Sequence, residues 1–263
     1  MKAISLIYHD VIEASHHEAS GFPGADAAVY KLAPELFDTH LDAIASVSGI
    51  TPSLVTDTAT SSRPLLLTFD DGGESAHSEI APRLEAHGWR GHFFITAGKI
   101  GAPSFCDAGQ IRDLAQRGHV VGSHSFSHPL RMAAQSWSEL VDEWQRSVHV
   151  LAEILGEMPR VASIPGGLYS RAVARAAARA GINMLFTSEP VSRSWRVKGC
   201  ELLGRYSIVN TTRAELAASI AVGERLPRYR QLGLWRGKQV AKRLGGTFYL
   251  KVRQAIFERR ARR

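Results

Sequence analysis

The sequence predicts a single α/β domain, a barrel of parallel strands with crossover helices, and three observations predict it. Short apolar runs alternate with amphipathic segments along the chain, a pattern that implies parallel strands joined by helices. About seven such units occur without a glycine-rich dinucleotide fingerprint, which favours a closed barrel over an open doubly wound sheet. The polar clusters fall just after apolar runs: His9-Asp10, Asp70-Asp71, His124 to His128 and Pro165 to Gly167. Barrel enzymes build their sites at that end of the strands.

The elements read in order as follows. Ile4 to Tyr8 is an apolar run, hence a buried strand, followed by a polar loop from Glu13 to about Ala28. Pro34 to Ser48 places Leu36, Phe37, Leu41, Ile44 and Ala45 on one helical face. Residues 49–63 are rich in Thr, Ser and Pro and read as loop with room for one short strand. Leu65 to Phe69 is the central strand, followed by a helix from Glu74 to His87 that Gly88 stops. His92 to Thr96 is a strand, and Asp107 caps a helix to Arg117. Val120 to Ser123 is a strand, and Ser138 to Leu155 a long helix. Val161 to Ile164, Ile182 to Thr187 and Tyr206 to Val209 are strands. Ser170 to Ala180 is an Ala/Arg helix, and Thr212 to Val222 a helix with Thr211 or Thr212 as its cap.

Composition narrows the class. Of 263 residues, 44% are apolar, enough for a sizeable core. Two cysteines, Cys106 and Cys200, define neither a disulfide framework nor a cysteine-rich zinc site and read as reduced core residues. The first ten residues lack the apolar length and cleavage site of a signal peptide, and no run is long enough for a membrane-spanning helix. The expected location is therefore cytoplasmic. Residues 225–263 carry thirteen Lys/Arg and one acid, Glu258, a net of +12; the rest holds 19 basic and 24 acidic residues, a net of −5. The chain thus divides into a barrel, 1–225, and a basic amphipathic tail, 226–263. Such a tail suits an anionic membrane surface or packing on the barrel. Without a recognition motif, nucleic acid is not an expected partner.

Two carboxylates and two histidines at strand ends suit a divalent metal. His124 and His128, three residues between them, can share one ion, and one carboxylate completes three protein ligands with a position left for water, as in a catalytic zinc site. Adjacent acids on an extended strand point apart, so one can bind metal while the other acts as base.

Thr68-Phe69-Asp70-Asp71-Gly72 and His124-Ser125-x-x-His128 resemble the first two motifs of the polysaccharide deacetylases, carbohydrate esterase family four. Gly91-His92-Phe93-Phe94-Ile95 and Gly118 to His124 fit the surrounding pattern, and Pro165-Gly166-Gly167 falls where the third motif is expected. The resemblance spans roughly residues 64–190. It implies a distorted (β/α)7 barrel that removes acetyl groups from N-acetylated sugars. Asp71, His124 and His128 would hold the metal, with Zn2+ preferred, and Asp70 would be the general base. Gly166 N–H, in the turn begun by Pro165, would face the oxyanion.

Three departures accompany it. Ser163 stands where the family has the arginine that steadies its base, so Asp70 is expected to lack that partner. Thr187-Ser188-Glu189-Pro190, with Trp195 later, matches the fourth motif loosely. No histidine follows His149, so the family's late catalytic histidine is missing from its usual place. Leu6-Ile7-Tyr8-His9-Asp10 resembles that late motif moved to the front of the chain. First and last strands of a barrel are neighbours, so His9 is the candidate acid, with Asp10 as its possible partner. Trp195, expected in a loop, is a candidate for stacking on a sugar, and Phe126 for lining the pocket. His16, His17, His40, His77, His87 and His149 read as surface or helix histidines, His92 and His119 as packing residues.

The expected activity is metal-dependent removal of N-acetyl groups from a glycan or lipid-linked amino sugar, in exopolysaccharide or envelope polysaccharide metabolism at the inner face of the membrane. The alternatives are hydrolysis of another non-peptide C–N bond on a small molecule, or glycan binding by a protein that keeps the metal site without turnover.

Overall fold

The computed structural model describes residues 1–237 and 239, apart from 48, 61, 62 and 168. Among the described residues nine strands form one sheet: β1 Ile4–Tyr8, β2 Leu65–Phe69, β3 His92–Ile95, β4 Val120–Ser123, β5 Val161–Ser163, β6 Met184–Phe186, β7 Trp195–Val197, β8 Cys200–Leu203 and β9 Tyr206–Ser207. The order is β7-β8-β6-β5-β4-β3-β2-β1-β9. Only the β7–β8 pair is antiparallel. The α-helices are α1 Ala25–Ala28, α2 Pro34–Ala45, α3 Ala81–Ala86, α4 Ala108–Gln116, α5 Trp137–Leu155, α6 Arg171–Arg179 and α7 Ala214–Ala221.

The apolar runs become strands because a parallel sheet covered by helices is dry on both faces. Every residue of β1 and β2 is buried. Tyr8, Phe37, Phe69 and Phe93 interlock with ring centroids 5.1 to 6.1 Å apart, and each such side chain stabilises the fold by about 1.5–3 kcal/mol through burial. Capping boxes start α4 (Asp107 with Gln110) and α5 (Ser136 with Glu139). Gly156, in the left-handed region, ends α5.

The barrel closes at β8 and β9. These are two halves of one extended path broken only by Gly204-Arg205. The first half pairs with β6, Phe186 opposite Leu203, and the second with β1, Leu6 opposite Tyr206. A bridge between Lys2 and Arg193 joins the start of the chain to the loop before β7. The distorted (β/α) barrel is thus present, with its first and last strands adjacent.

Several elements differ from expectation. The strands β7 and β8 form a hairpin that the sequence reading did not include. Its turn is Lys198-Gly199, both at positive φ, which suits the twist of a two-residue hairpin. Trp195 therefore opens a strand rather than sitting in a loop. The segment Ala76–Ile80 is π-helical before α3 continues, a local widening often found beside functional sites. The region 49–63 holds a 3-10 turn, Val55–Thr60, and a single bridge from Pro52 to Leu65. Thr212 does not cap α7 with its side chain; its Oγ accepts from Val209 N–H instead. His40 is buried, with Nε2 bonded to the Thr212 carbonyl. Cys106 and Cys200 are buried and unpaired, as expected. Residues 225–237 are helical; the tail's residues 238 and 240–263 lie outside the described residues.

Candidate active site

Strand β2 ends at Phe69, and after Asp70 the chain turns through two left-handed residues, Asp71 at φ 78° and Gly72 at φ 79°. An aspartate tolerates this region better than bulky residues do, and glycine freely. Because Asp71 is left-handed rather than extended, the neighbouring acids do not point apart. Asp71 Oδ1 lies 3.4 Å and Asp70 Oδ2 3.8 Å from the same atom, His124 Nε2. Gly73 follows because nothing larger fits: a Cβ there would meet Asp10 Oδ1 at 2.1 Å.

His124 follows β4 at once. Its Nδ1 lies 3.0 Å from the Ser163 carbonyl, which can only accept, so Nδ1 carries the proton and Nε2 presents a lone pair. The loop to His128 is compact. Ser125 and His128 are both at positive φ, 63° and 57°, and His128 N–H donates to Ser125 Oγ. Glu143 of α5, 8% exposed, braces the loop by accepting from Phe126 N–H, Ser127 N–H and the Ser127 hydroxyl. Among the described non-glycine residues, three of the five with positive φ are Asp71, Ser125 and His128. Strain concentrated this way marks a geometry that the surroundings impose.

His128 Nε2 also lies 3.4 Å from Asp71 Oδ1. The three ligand atoms of Asp71, His124 and His128 fall within 4.8 Å of one another, the one such group among the described residues. Ligands about 2.0–2.2 Å from a tetrahedral ion stand about 3.3–3.5 Å apart, so these separations fit a small divalent cation. One carboxylate oxygen and two neutral imidazoles are a donor set that zinc accepts, and the proton on His124 Nδ1 is in the place that metal ligation requires. Burial raises the Asp71 carboxyl, yet the His124 and His128 imidazoles that face it outweigh this and hold the group well below the usual range. Burial lowers His124, but the Asp70 and Asp71 carboxylates raise it further. The same negative field would draw in a cation.

Asp70 is not unpartnered, contrary to expectation. Arg205, from the break between β8 and β9, meets it with both arms, Nη1 to Oδ1 at 2.6 Å and Nη2 to Oδ2 at 2.8 Å. Ser163, the residue at the family's arginine position, donates its hydroxyl to Asp70 Oδ2 at 2.9 Å and accepts from Arg205 Nη2 at 2.6 Å. Thr68 Oγ and the Thr187 carbonyl accept the remaining guanidinium bonds. Arg205 is fully buried. Burial raises Asp70, but the charges of Arg205 and then His124 outweigh it and keep the carboxyl below its ordinary value. Arg205 was missed because the guanidinium comes from far along the chain. Its signal was a lone arginine inside Leu202-Leu203-Gly204-Arg205-Tyr206, since a charge within an apolar run must be paired.

His9 follows β1. Its ring packs on Tyr30 at 4.7 Å, and its buried Nδ1 has no hydrogen-bond partner among the described residues. It is close enough for its charge to lower both Asp70 and Asp71. Asp10 does not pair with it. The Asp10 carboxylate faces away and accepts from Ser20 Oγ at 2.5 Å and Ser75 Oγ at 2.8 Å, pinning the loop after β1 beneath the Gly72-Gly73 turn. That loop sets Phe22 against the His128 ring, centroids 4.5 Å apart. Pro165 is buried, and Gly166, at φ 61°, is exposed beside the Leu130 backbone. Phe126 packs under the Arg146 guanidinium. Trp195 meets Tyr169 edge to face at 5.7 Å, on the flank beyond β6. His92 and His119 are buried and hydrogen-bonded, as expected.

Fold and site together define a β/α-barrel protein with an aspartate–histidine–histidine centre suited to a divalent cation and a second, clamped aspartate beside it. Residues 57–185, just under half of the chain, match the family model described as polysaccharide deacetylase. The chain is 26% identical over 155 residues to the Bacillus subtilis (strain 168) protein YxkH, covering 59% of this chain and 55% of that one. It is 27% identical over 132 residues to the peptidoglycan-N-acetylmuramic acid deacetylase PdaA of the same organism, covering 49% and 48%. The match thus spans about half the length of each. Among solved structures, IcaB from Ammonifex degensii superposes with a TM-score of 0.69 at 22% identity, covering 84% of this chain and 97% of that one. The Streptococcus pyogenes deacetylase PplD gives 0.68 at 20% identity, covering 82% and 96%. These likenesses establish the fold.

Proposed function

We propose that the protein is a metal-dependent hydrolase that removes N-acetyl groups from a glycan or lipid-linked amino sugar of exopolysaccharide or envelope metabolism. The observation that carries this reading is the pairing of the Asp71-His124-His128 cradle with Asp70 held by Arg205 and Ser163. Asp71, His124 and His128 would hold the ion, with zinc preferred for this donor set. A bound divalent cation supplies Lewis acidity toward the acetamide carbonyl and the attacking water. Asp70 accepts the proton of that water. Its two oxygens carry three hydrogen bonds from Arg205 and Ser163, and a carboxylate offers about four acceptor sites, so one remains for the water. Arg205 keeps Asp70 ionised and fixes its orientation. Gly166 N–H faces the developing oxyanion, and His9 protonates the departing amine.

The late-histidine role thus passes to β1, a reading supported by the pairing of β1 with β9 and by the unpartnered Nδ1 of His9. Arg205 removes one support for the alternative of a site without turnover, because the clamp on Asp70 is supplied from another strand. The relatives' names support N-acetylated glycans as the substrate class. We place the protein in the cytoplasm at an anionic membrane surface, a reading supported by exposed Leu226, Tyr229 and Leu234 beside the arginines of helix 225–237; removing residues 226–263 should abolish liposome binding.

The test is acetate release from N-acetylglucosamine oligomers and lipid-linked N-acetyl sugars, with metal content measured on the same protein. Stoichiometric metal and acetate release support the reading. Metal without release from any amide moves the protein to the binding class, and no stoichiometric metal after reconstitution sinks the scheme.

A further inference from the structure

Beside the β7–β8 hairpin lies an open surface hollow of about 680 Å³, lined by Tyr169, Glu189, Val191, Arg193, Ser194 and Trp195. Its position is fixed by the site itself. Tyr169 follows the Pro165–Gly167 turn, which presses so closely on Ser188 that a Cβ on Gly167 would meet Ser188 Oγ at 2.5 Å. The Glu189 carbonyl accepts the Arg205 backbone N–H at 2.9 Å, while the Arg205 side chain holds Asp70. The Arg205 backbone thus ties the loop that carries Glu189 to the residue that clamps the proposed base.

The lining is unusual for a surface hollow. Trp195 and Tyr169 are half-buried and give an amphipathic aromatic wall. The Glu189 carboxylate is half-buried and makes no hydrogen bond or ion pair among the described residues. Burial raises its pKa, opposed by the charge of Arg236 from helix 225–237. A carboxylate held this way is costly unless a ligand completes its bonding. Exposed Arg193 adds donors at the rim. An aromatic wall with a few convergent polar groups, in this volume range, is how proteins take small polar ligands.

We propose that this cavity is a second saccharide site, which takes a sugar unit bearing a free ammonium group, packed on Trp195 and Tyr169 and paired with Glu189. The inference rests on the N-deacetylase reading, because an ammonium-bearing sugar is what that reaction makes from an acetamido sugar. The ammonium donates to the Glu189 carboxylate and lies within reach of the aromatic faces, and sugar hydroxyls accept from Arg193. A chain already deacetylated at one unit would then be retained beside the catalytic groups.

The test uses the full chain and two probes that contain no acetyl group, a β-1,4-linked glucosamine trimer and the matching glucose trimer, with binding followed by calorimetry near neutral pH. The glucosamine trimer is expected to bind about tenfold or more tighter, the size of one charge-assisted hydrogen bond. Glu189→Gln, nearly isosteric and so compatible with the fold, should erase that difference. Trp195→Ala should weaken both probes. Equal affinity of the two trimers for the wild-type protein, or an unchanged preference in Glu189→Gln, overturns the proposal. Acetate release measured on the same wild-type sample separates the two readings: amine-selective binding without release keeps this site and removes the deacetylase, and release without amine-selective binding does the reverse.

Discussion

Asp70 and Asp71 are neighbours in sequence, yet their surroundings are assembled from different distances along the chain. Asp71 belongs to a cradle made by two adjacent turns, with left-handed backbone at Asp71, Ser125 and His128 and one brace from Glu143. Asp70 belongs to a clamp whose partners lie 93 and 135 positions away, Ser163 and Arg205. The cradle is mostly loop geometry and draws on β2, β4, α5 and the Ser163 carbonyl of β5. The clamp exists only if β8 crosses to become β9 and the barrel closes. Affinity for a cation and readiness of the base are therefore separable properties, and substitutions should reveal the seam between them.

The largest effect is expected at Arg205. Arg205→Met leaves the Asp70 carboxylate buried without its countercharge, and breaking a buried pair in this way costs about 3–5 kcal/mol. Denaturant unfolding should show that loss, acetate release should collapse, and metal content should stay near the wild-type value. If metal is lost in proportion, cradle and clamp are one unit and the comparison fails.

His9→Gln should leave metal and fold intact and lower turnover by roughly 10²–10⁴-fold, the range for a missing acid. Unchanged turnover would remove His9 from the site.

Next comes acid sensitivity in the barrel wall. Burial pushes the His92 imidazole down to about 4, while Nδ1 faces the Leu67 carbonyl and Nε2 accepts from Val55 N–H. The unfolded chain binds this proton below about 6.5 and the folded chain only below about 4, so the unfolded state holds more protons between them. Stability should therefore fall by about 3 kcal/mol as pH drops from 6.5 to 4. His92→Gln should flatten that slope in unfolding midpoints taken across the range; an unchanged slope would place the acid sensitivity elsewhere.

The smallest effect is at Ser163. Ser163→Ala removes one hydroxyl bond to Asp70 but keeps the two-armed arginine, so stability should fall by about 1–2 kcal/mol and turnover should fall less than in Arg205→Met. A loss as large as that of Arg205→Met would make Ser163, not Arg205, the main support of the base.

What the sequence disclosed follows the same seam. Strands β1, β2 and β4 were legible to the residue, because buried parallel strands are unbroken apolar runs bounded by polar turns. The grouping of Asp71, His124 and His128 was legible because a loop motif keeps its spacing in one dimension. The hairpin of β7 and β8 was not, since Trp195-Arg196-Val197 and Cys200-Glu201-Leu202-Leu203 are short and mixed; the turn at Lys198-Gly199 was the available signal. Arg205 draws no role from the sequence pattern. Pairing across the barrel leaves no local periodicity, and the cue was the cost of burying an unpaired guanidinium. Asp10 was matched to His9 by adjacency, but the backbone turns its carboxylate toward Ser20 and Ser75, which the sequence places 10 and 65 positions away.

The division of labour between the two aspartates is tested most directly by measuring bound metal and acetate release together in Asp70→Asn and Asp71→Asn. Asp70→Asn should keep stoichiometric metal and lose release, and Asp71→Asn should lose both. Stoichiometric metal retained by Asp71→Asn, or metal lost from Asp70→Asn while the protein remains folded, would contradict the account.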